Sequence, residues 1–184
     1  LGTLSPTGFD EFSWDVKTKV KVGNMLLTGA WQHLVQEDVP LYHQIASGSY
    51  SRYHFNPQQR DLGYIRLASS YPSNIFSQIQ YTVAYLNSLE VREKQRTGSP
   101  IFRTERDRVD TYHGGIEVIS DLSSRWKVSS GVELYHDYVG SSADDTNQDT
   151  DETTQARGLY PDGTTYTNAA LYSVHALDIS PFHI

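Results

Sequence analysis

The stretch that decides the fold is residues 12–22, which read FSWDVKTKVKV. Its even positions carry mostly apolar side chains, namely Phe12, Trp14, Val16, Val20 and Val22. The odd positions carry Ser13, Asp15, Lys17, Lys19 and Lys21. A period of two predicts a β-strand with one apolar and one polar face. Gly23-Asn24 is a compact turn signal, so residues 25–36 are expected to return as the antiparallel partner.

The same alternation recurs along the chain. It predicts further strands over residues 60–69, 75–92, 109–120, 125–139 and 164–179. In 75–92 one face carries Ile79, Tyr81, Val83, Tyr85, Leu89 and Val91. In 125–139 it carries Trp126, Val128, Val132, Leu134 and Tyr138, and in 164–179 it carries Tyr166, Ala170, Tyr172, Val174 and Ala176. Helical periodicity is nearly absent.

Short and long connections alternate between these strands. The segments near 23–24, 71–74 and 121–124 are short, whereas 37–58, 93–108 and 140–163 are long and polar. Short turns on one side and long loops on the other are typical of transmembrane barrels. We therefore predict an all-β fold, an antiparallel up-and-down transmembrane β-barrel. Because closed single-chain barrels need an even number of at least eight strands, the roughly seven strands predicted here are expected to be a fragment of a larger barrel.

Composition supports a wall with one apolar and one polar face. Hydrophobic residues make up 38% of the 184 residues and mean hydropathy is -0.52, yet 13 tyrosines are present. The net charge of -7 argues against a nucleic-acid binder. The absence of cysteine excludes thiolate metal sites and disulfides. The first residue is Leu1, so we expect the chain to begin inside a longer protein.

Several motifs resemble those of TonB-dependent outer-membrane receptors. Residues 38–43 read DVPLYH, where haem, haemoglobin and lactoferrin/transferrin receptors of this family often have Asn/Asp-Val-Pro-Arg-Tyr-Asp. Leu41 and His43 depart from that pattern. The motifs continue in order with YHFNPQQR at 53–60, then Leu62, Tyr64 and Arg66, then SLEVR at 88–92, DRVDT at 107–111 and GVELYHD at 131–137.

This resemblance covers most of residues 11–180. It implies a barrel of about 22 strands around an N-terminal plug, with uptake driven by the TonB complex. Residues 1–184 would then be a partial barrel domain without the plug. The implied location is the outer membrane of a Gram-negative bacterium, and the implied partners are membrane lipid, an iron chelate or haem, and TonB through a part missing from this chain. The barrel is expected to be monomeric.

Candidate ligand-binding residues lie in the predicted outer loops. Tyr42, His43, Tyr53 and His54 fall in 37–58, and haem receptors use His or Tyr as axial ligands. The alternative is ordinary polar surface. Arg96, Arg103 and Arg106 belong to a basic stretch, 92–108, that could attract an anionic chelate. The alternative there is a solvated loop with internal ion pairs, which we favour.

We predict no resident metal, no cofactor and no catalytic residues. The acidic run 144–152 could bind Ca²⁺ through hard oxygens, but it lacks EF-hand spacing, so a disordered loop tip is favoured. Nucleophile-elbow, phosphate-loop and metalloprotease motifs are absent. His136 and Asp137 are adjacent on a strand and point to opposite faces.

The sequence therefore predicts a non-enzymatic fragment of a receptor for active uptake of iron chelates, either siderophore or haem. The alternatives are a passive porin or adhesin barrel, an outer-membrane enzyme barrel, and a soluble carbohydrate-binding β-domain. The sequence does not distinguish among iron-chelate, haem, cobalamin and glycan ligands.

Overall fold

The alternating segments form seven long strands, and three short strands pair with them. The computed structural model describes residues 7–73 and 75–179, together with the backbone of 182–183. The long strands are β1 (Asp10–Val22), β2 (Met25–Glu37), β4 (Tyr50–Ser70), β5 (Gln78–Arg96), β6 (Ile101–Ser123), β7 (Trp126–Asn147) and β9 (Thr164–Ile179). The short strands are β3 (Val39–Pro40), β8 (Thr153–Ala156) and β10 (Phe182–His183). One helical turn, α1 (Tyr42–Ala46), lies between β3 and β4.

Each long strand pairs antiparallel with the next long strand along the chain. The order across the sheet is β1-β2-β4-β5-β6-β7-β9, with β3 on β4, β8 on β7 and β10 on β9. This is the predicted up-and-down meander, and the number of long strands is also as predicted. The sequence also predicts that Pro181 ends the last strand at a turn, and Ser180 and Pro181 lie outside the described residues.

One end of the sheet carries short turns. Gly23 has φ +60, a left-handed conformation that glycine adopts without a Cβ penalty, and Val22 pairs directly with Met25 across the turn. Between β6 and β7, Ser123 pairs with Trp126, so the turn is shorter and later than the predicted 121–124. The connection between β4 and β5 spans 71–77 rather than the predicted 71–74.

At the other end, the predicted long loops are largely wrong. Residues 93–108 are not a loop, since β5 runs to Arg96 and β6 begins at Ile101, which leaves only 97–100 as the connection. Within 37–58, β4 already begins at Tyr50, and within 140–163, β7 runs to Asn147. The charged residues of these segments pair across strands, and this pairing lets polar sequences extend the sheet.

A bulge in β4 separates two regions of the sheet. Phe55 pairs with Arg92 and Gln58 with Glu90, so Asn56 and Pro57 oppose the single residue Val91. Proline has no N–H to donate to the ladder, and a bulge tolerates it because the ladder is interrupted there. We call residues 50–55, 90–96, 101–107, 141–147 and β8 the loop-side extension. The remaining parts of the long strands, toward the short turns, are the turn-side wall.

The pairing register places the apolar side chains of neighbouring strands on one face of the turn-side wall. Its rows include Val16, Trp31, Gly63, Tyr85 and Tyr112, paired in that order from β1 to β6. Most of this apolar face is exposed, for example 57% of Val83 and 87% of Leu171. The opposite, polar face carries Lys17, Gln32 and Glu133, among others.

Strand β9 places its predicted apolar side chains on the polar face of the sheet, not on the apolar face. Tyr166, Ala170, Tyr172, Val174 and Ala176 do share a face, but Tyr166 pairs with Asp137 and Ala170 with Glu133, so that face is the polar one. The Tyr172 ring fits there because it opposes a glycine, Gly131. A Cβ on Gly131 would lie 2.5 Å from the Tyr172 hydroxyl, so the ring occupies the space a side chain would take.

The sheet has almost no core of its own. Among the described residues, the buried hydrophobic side chains are only Ala68, Val91 and Ala143. A soluble domain of this size would bury most of its large apolar side chains. The apolar face therefore needs an apolar environment that this chain does not provide.

Candidate functional site

The loop-side extension carries a row of polar side chains on the polar face. Tyr53, Lys94, Arg103 and Asp145 occupy neighbouring positions on β4, β5, β6 and β7. Lys94 Nζ lies 5.9 Å from the centre of the Tyr53 ring, within cation–π range. The Tyr50 and Tyr53 rings are 5.0 Å apart. The strands thus bring two tyrosines and two cations together at the rim of the sheet.

A shallow pocket of about 270 Å³ lies at this rim. Its side chains are Tyr50, Lys94, Arg96, Ser99, Ile101, Arg103 and Asp145. Three of them are cations and one is an anion, so the pocket suits an anionic or oxygen-rich ligand. We call it the rim pocket.

Two of the three rim-pocket cations already have partners. Arg103 makes a bidentate pair with Asp145, with Nε–Oδ1 and Nη2–Oδ2 distances of 2.6 Å each. Lys94 Nζ donates to Glu105 at 2.7 Å. Arg96 is exposed and has no ion-pair partner among the described residues. The bond from Arg103 holds the pKa of Asp145 below its ordinary value.

Beneath the rim pocket lies a buried network of charges. Arg92 contacts Glu90, Glu105 and Asp107 on the polar face. Ser141 Oγ donates to Asp107 at 2.5 Å, and the chain after β8 closes over it, where the Tyr160 N–H donates to Ser141 Oγ at 3.1 Å. Cross-strand ion pairs of this kind favour one strand register at the rim, although Arg92 Nε and Glu105 Oε2 have no hydrogen-bond partner among the described residues.

The structure separates the predicted binding residues into three groups. Tyr53, Arg96 and Arg103 belong to the polar face around the rim pocket. His54 pairs with Glu93 on the opposite face, where its Nδ1 lies 3.9 Å from Asp38. Tyr42 and His43 lie on α1, and His43 contacts the Gln44 side chain at 3.2 Å.

Arg106 is also on the opposite face, paired with Val91. It is exposed and lies outside the rim pocket. The seven predicted residues therefore do not form one cluster. Within the described part of the chain, no group of three or more His, Asp or Glu side chains is arranged to hold a metal ion.

Sequence reasoning did not select Tyr50, Lys94 and Asp145 as binding residues, although Lys94 belongs to the basic stretch 92–108. The signal was available in residues 92–96, where Arg92, Lys94 and Arg96 alternate with Glu93 and Gln95. Alternation of charged residues predicts a strand as validly as alternation of apolar ones. The favoured interpretation of the basic stretch was a solvated loop with internal ion pairs. Arg92 and Lys94 do pair with Glu105 within the stretch, but the segment is not a loop and Arg103 pairs with Asp145 outside it.

The acidic run 144–152 is ordered, contrary to expectation. Residues 144–147 are the end of β7, and the turn that follows is closed by the Asp151 N–H, which donates to the Asn147 carbonyl at 2.8 Å. Asp145, the least exposed carboxylate of the run, forms an ion pair with Arg103 and is therefore not available to a cation.

Among the described residues, no helix combines the length and hydropathy needed to cross a bilayer.

Comparison with known proteins finds similarity in structure. No family model matches the chain, and no curated protein matches its sequence. A solved copper transporter, OprC, superposes over 92% of this chain with a TM-score of 0.70 and 13% identity. The ferric yersiniabactin uptake receptor FyuA from Yersinia pestis superposes over 92% with a TM-score of 0.59 and 15% identity.

In both cases this chain spans 26% of the other chain's length, about a quarter. At such low identity the likeness shows the fold. That fold is an antiparallel, up-and-down sheet like a segment of each of those two proteins, as the alternation in the sequence predicted.

Proposed function

We propose that this chain is part of the barrel wall of an outer-membrane receptor that takes up a metal chelate. The observation that carries the proposal is the exposed apolar face of a seven-stranded meander with almost no core. A bilayer would cover that face, and the polar face would line the barrel interior. The structural likeness to a copper transporter and to a ferric yersiniabactin receptor supports this reading.

The height of the apolar face fits a bilayer. On β1 it runs from Phe12 to Val22, with both ends exposed. At about 3.3 Å per residue and a tilt of about 40°, this distance spans roughly 25 Å, the height of the apolar band of outer-membrane barrels. Trp14, Trp31 and Trp126 lie on this face; Trp14 and Trp126 would contribute to the interfacial aromatic girdles, whereas Trp31 pairs with Val16 near mid-height.

We propose that the rim pocket contributes to capture of the chelate. Tyr53, Arg96 and Arg103 lie on the face that would line the ligand's path, and Arg96 is the cation left without an ion pair among the described residues. Tyr42 and His43 on α1 remain proposed loop contacts. An iron chelate, siderophore or haem, is the proposed cargo, with TonB supplying energy through regions outside this segment.

The orientation can be tested with epitope tags in the full-length protein that contains this chain. A tag between Asp149 and Thr150 lies in a loop-side turn, and a tag between Gly23 and Asn24 lies in a turn at the other end. On intact cells we expect antibody to label only the first, whereas permeabilised cells should label both. A tagged protein found in the soluble fraction, or labelling of the second tag on intact cells, would refute the proposal.

The uptake function needs a separate test. We expect radiolabelled ferric siderophore or haem to accumulate in cells that carry the parent protein, and deletion of TonB to abolish this accumulation. A passive porin would keep its uptake without TonB. The Arg96→Ala variant should raise the half-saturating chelate concentration, whereas Lys17→Ala, an exposed lysine on the polar face of β1, should not.

A further inference from the structure

The apolar face is not uniform, because a groove crosses it over β2, β4 and β5. The groove encloses about 450 Å³. Because Gly29 and Gly63 have no side chains, two adjacent rows of the apolar face contain gaps. Trp31, Ile65 and Val83 form the walls of the resulting groove. Gly63 is required there, because a Cβ would lie 2.6 Å from the Trp31 indole, which rests on it. The groove is open to whatever covers the apolar face.

A second, polar cleft of about 390 Å³ lies on the same face, next to the groove on its loop side. The two cavities share Trp31 and Tyr85. Arg106 and Arg108 line the polar cleft from β6. A continuous surface therefore passes from purely apolar side chains to two guanidinium groups.

The acidic groups near the cleft are already satisfied. Asp110 accepts hydrogen bonds from Tyr85 at 2.6 Å and Asn87 at 2.8 Å, and it pairs with Arg108 at 2.9 Å. Asp61 is 2.7 Å from the His33 ring nitrogen and also accepts from Gln59 at 2.7 Å.

Arg106, in contrast, is exposed and has no ion pair among the described residues. Arg108 uses Nε and Nη2 on Asp110 and also interacts with the Tyr85 hydroxyl, so Arg106 is the cation left open at this end of the groove. Donors for an external anion therefore remain at this end of the groove.

We propose that the groove and the cleft together bind one phosphorylated lipid of the outer leaflet. An acyl chain would lie in the groove beside Trp31, and the phosphate would bind Arg106, with Arg108 adjacent in the same cleft. Guanidinium groups form strong, charge-assisted bonds to phosphate oxygens. This inference rests on the proposed function, which places the loop-side end at the outer leaflet and the apolar face in lipid.

The occupant is a lipid rather than a free anion because the two cavities are continuous. A free phosphate would use the cleft and leave the groove empty. The groove has the chemistry for a hydrocarbon chain, and the continuous apolar face on either side would meet the same leaflet. The barrel interior is not involved, since neither cavity opens on the polar face.

The test uses the purified full-length protein in non-ionic detergent and a fluorescent monophosphoryl lipid A as the probe. Arg106→Ala removes the free cation, and its control is Lys17→Ala on the polar face. Gly29→Leu fills the groove, where a Cβ meets nothing within 4 Å, and its control is Ala169→Leu on the same face of β9. We expect Arg106→Ala to weaken probe binding about tenfold, the size of one charge-assisted bond.

Gly29→Leu should weaken binding by a similar factor, and both controls should bind as the unaltered protein does. Inorganic phosphate at millimolar concentration should not displace the probe. Displacement by phosphate, or equal binding by Arg106→Ala and Lys17→Ala, would overturn the proposal. Outer-membrane fractionation of the same variants reads out the proposed function separately, because a correctly inserted barrel can still fail to bind the probe.

Discussion

The turn-side wall and the loop-side extension are built from the same strands but are stabilised in opposite ways. In the turn-side wall, large apolar side chains such as Val16, Ile65 and Val83 are more than half exposed. In the loop-side extension, charged side chains are the buried ones, with Glu105 at 6% and Asp107 at 7% exposure.

A sheet that exposes apolar side chains and buries charged ones has the opposite distribution from a soluble protein. The difference indicates two environments along one set of strands. We infer lipid around the turn-side wall and water around the extension, where cross-strand ion pairs replace the contacts that lipid would supply.

The largest expected effect comes from placing a charge on the apolar face. Val16→Lys should lower the free energy of unfolding by about 3 kcal/mol, because a cation near the bilayer midplane is costly. The measurement is urea unfolding of the full-length protein in lipid vesicles. Ser13→Lys, on the polar face of the same strand, should change it by less than about 0.5 kcal/mol. Equal effects of the two variants would remove the distinction between the faces.

The next effect tests the charges of the extension. Asp107→Asn removes a carboxylate that accepts from Arg92 and Ser141, leaving a buried guanidinium without that partner. We expect unfolding to become easier by about 2 kcal/mol, as for a lost bond to a charged group. Asp144→Asn is the matched control, since Asp144 is exposed and makes no ion pair among the described residues. A neutral Asp107→Asn would mean that the network contributes little to the extension.

A smaller effect tests packing within the turn-side wall. Gly63→Ala should cost about 1.5 kcal/mol, because its Cβ would sit 2.6 Å from Trp31 and displace the indole. Gly29→Ala, which meets nothing within 4 Å, should be neutral within about 0.5 kcal/mol. Tryptophan emission should shift in the first variant and stay unchanged in the second. Identical emission in both would show that the indole does not rest on Gly63.

The smallest effect is a pH dependence at the rim pocket. The hydrogen bond from Arg103 keeps the pKa of Asp145 below its ordinary value, so its contribution is full above that ordinary value and is lost as the pH falls through the lower, folded-state pKa. We expect the stability gap between the unaltered protein and Asp145→Asn to be under about 1 kcal/mol at pH 6. The gap should close at the acid end of a pH series. A gap that grows on acidification would contradict the pairing.

Much of this architecture could be predicted from the sequence. Alternation in 12–22 and 75–92 identifies strands because side-chain direction in a strand has a period of two. Gly23-Asn24 marks its turn because glycine tolerates positive φ. The number of long strands and, β9 excepted, the placement of their apolar side chains on one face followed from these local signals.

The extension and the last strand could not be assigned in the same way. Residues 93–108 looked like a loop because they are charged, but each charge finds its partner on a neighbouring strand far away in sequence, as Arg103 does on Asp145. The polar side of β9 depends on its register against β7, where Gly131 leaves room for Tyr172. The split of Tyr53 and His54 between faces follows simply from their adjacency on β4, once that strand is known to begin at Tyr50.

The most direct test of the central claim is a scan of solvent environment along β5. The chain has no cysteine, so single cysteines can be placed at each position from 79 to 85 in the parent protein, after any other cysteines have been replaced, and then spin-labelled. In lipid vesicles we predict that labels at odd positions contact oxygen dissolved in the bilayer, and that labels at even positions contact a water-soluble nickel chelate. Water access at every position, or no alternation, would contradict the account.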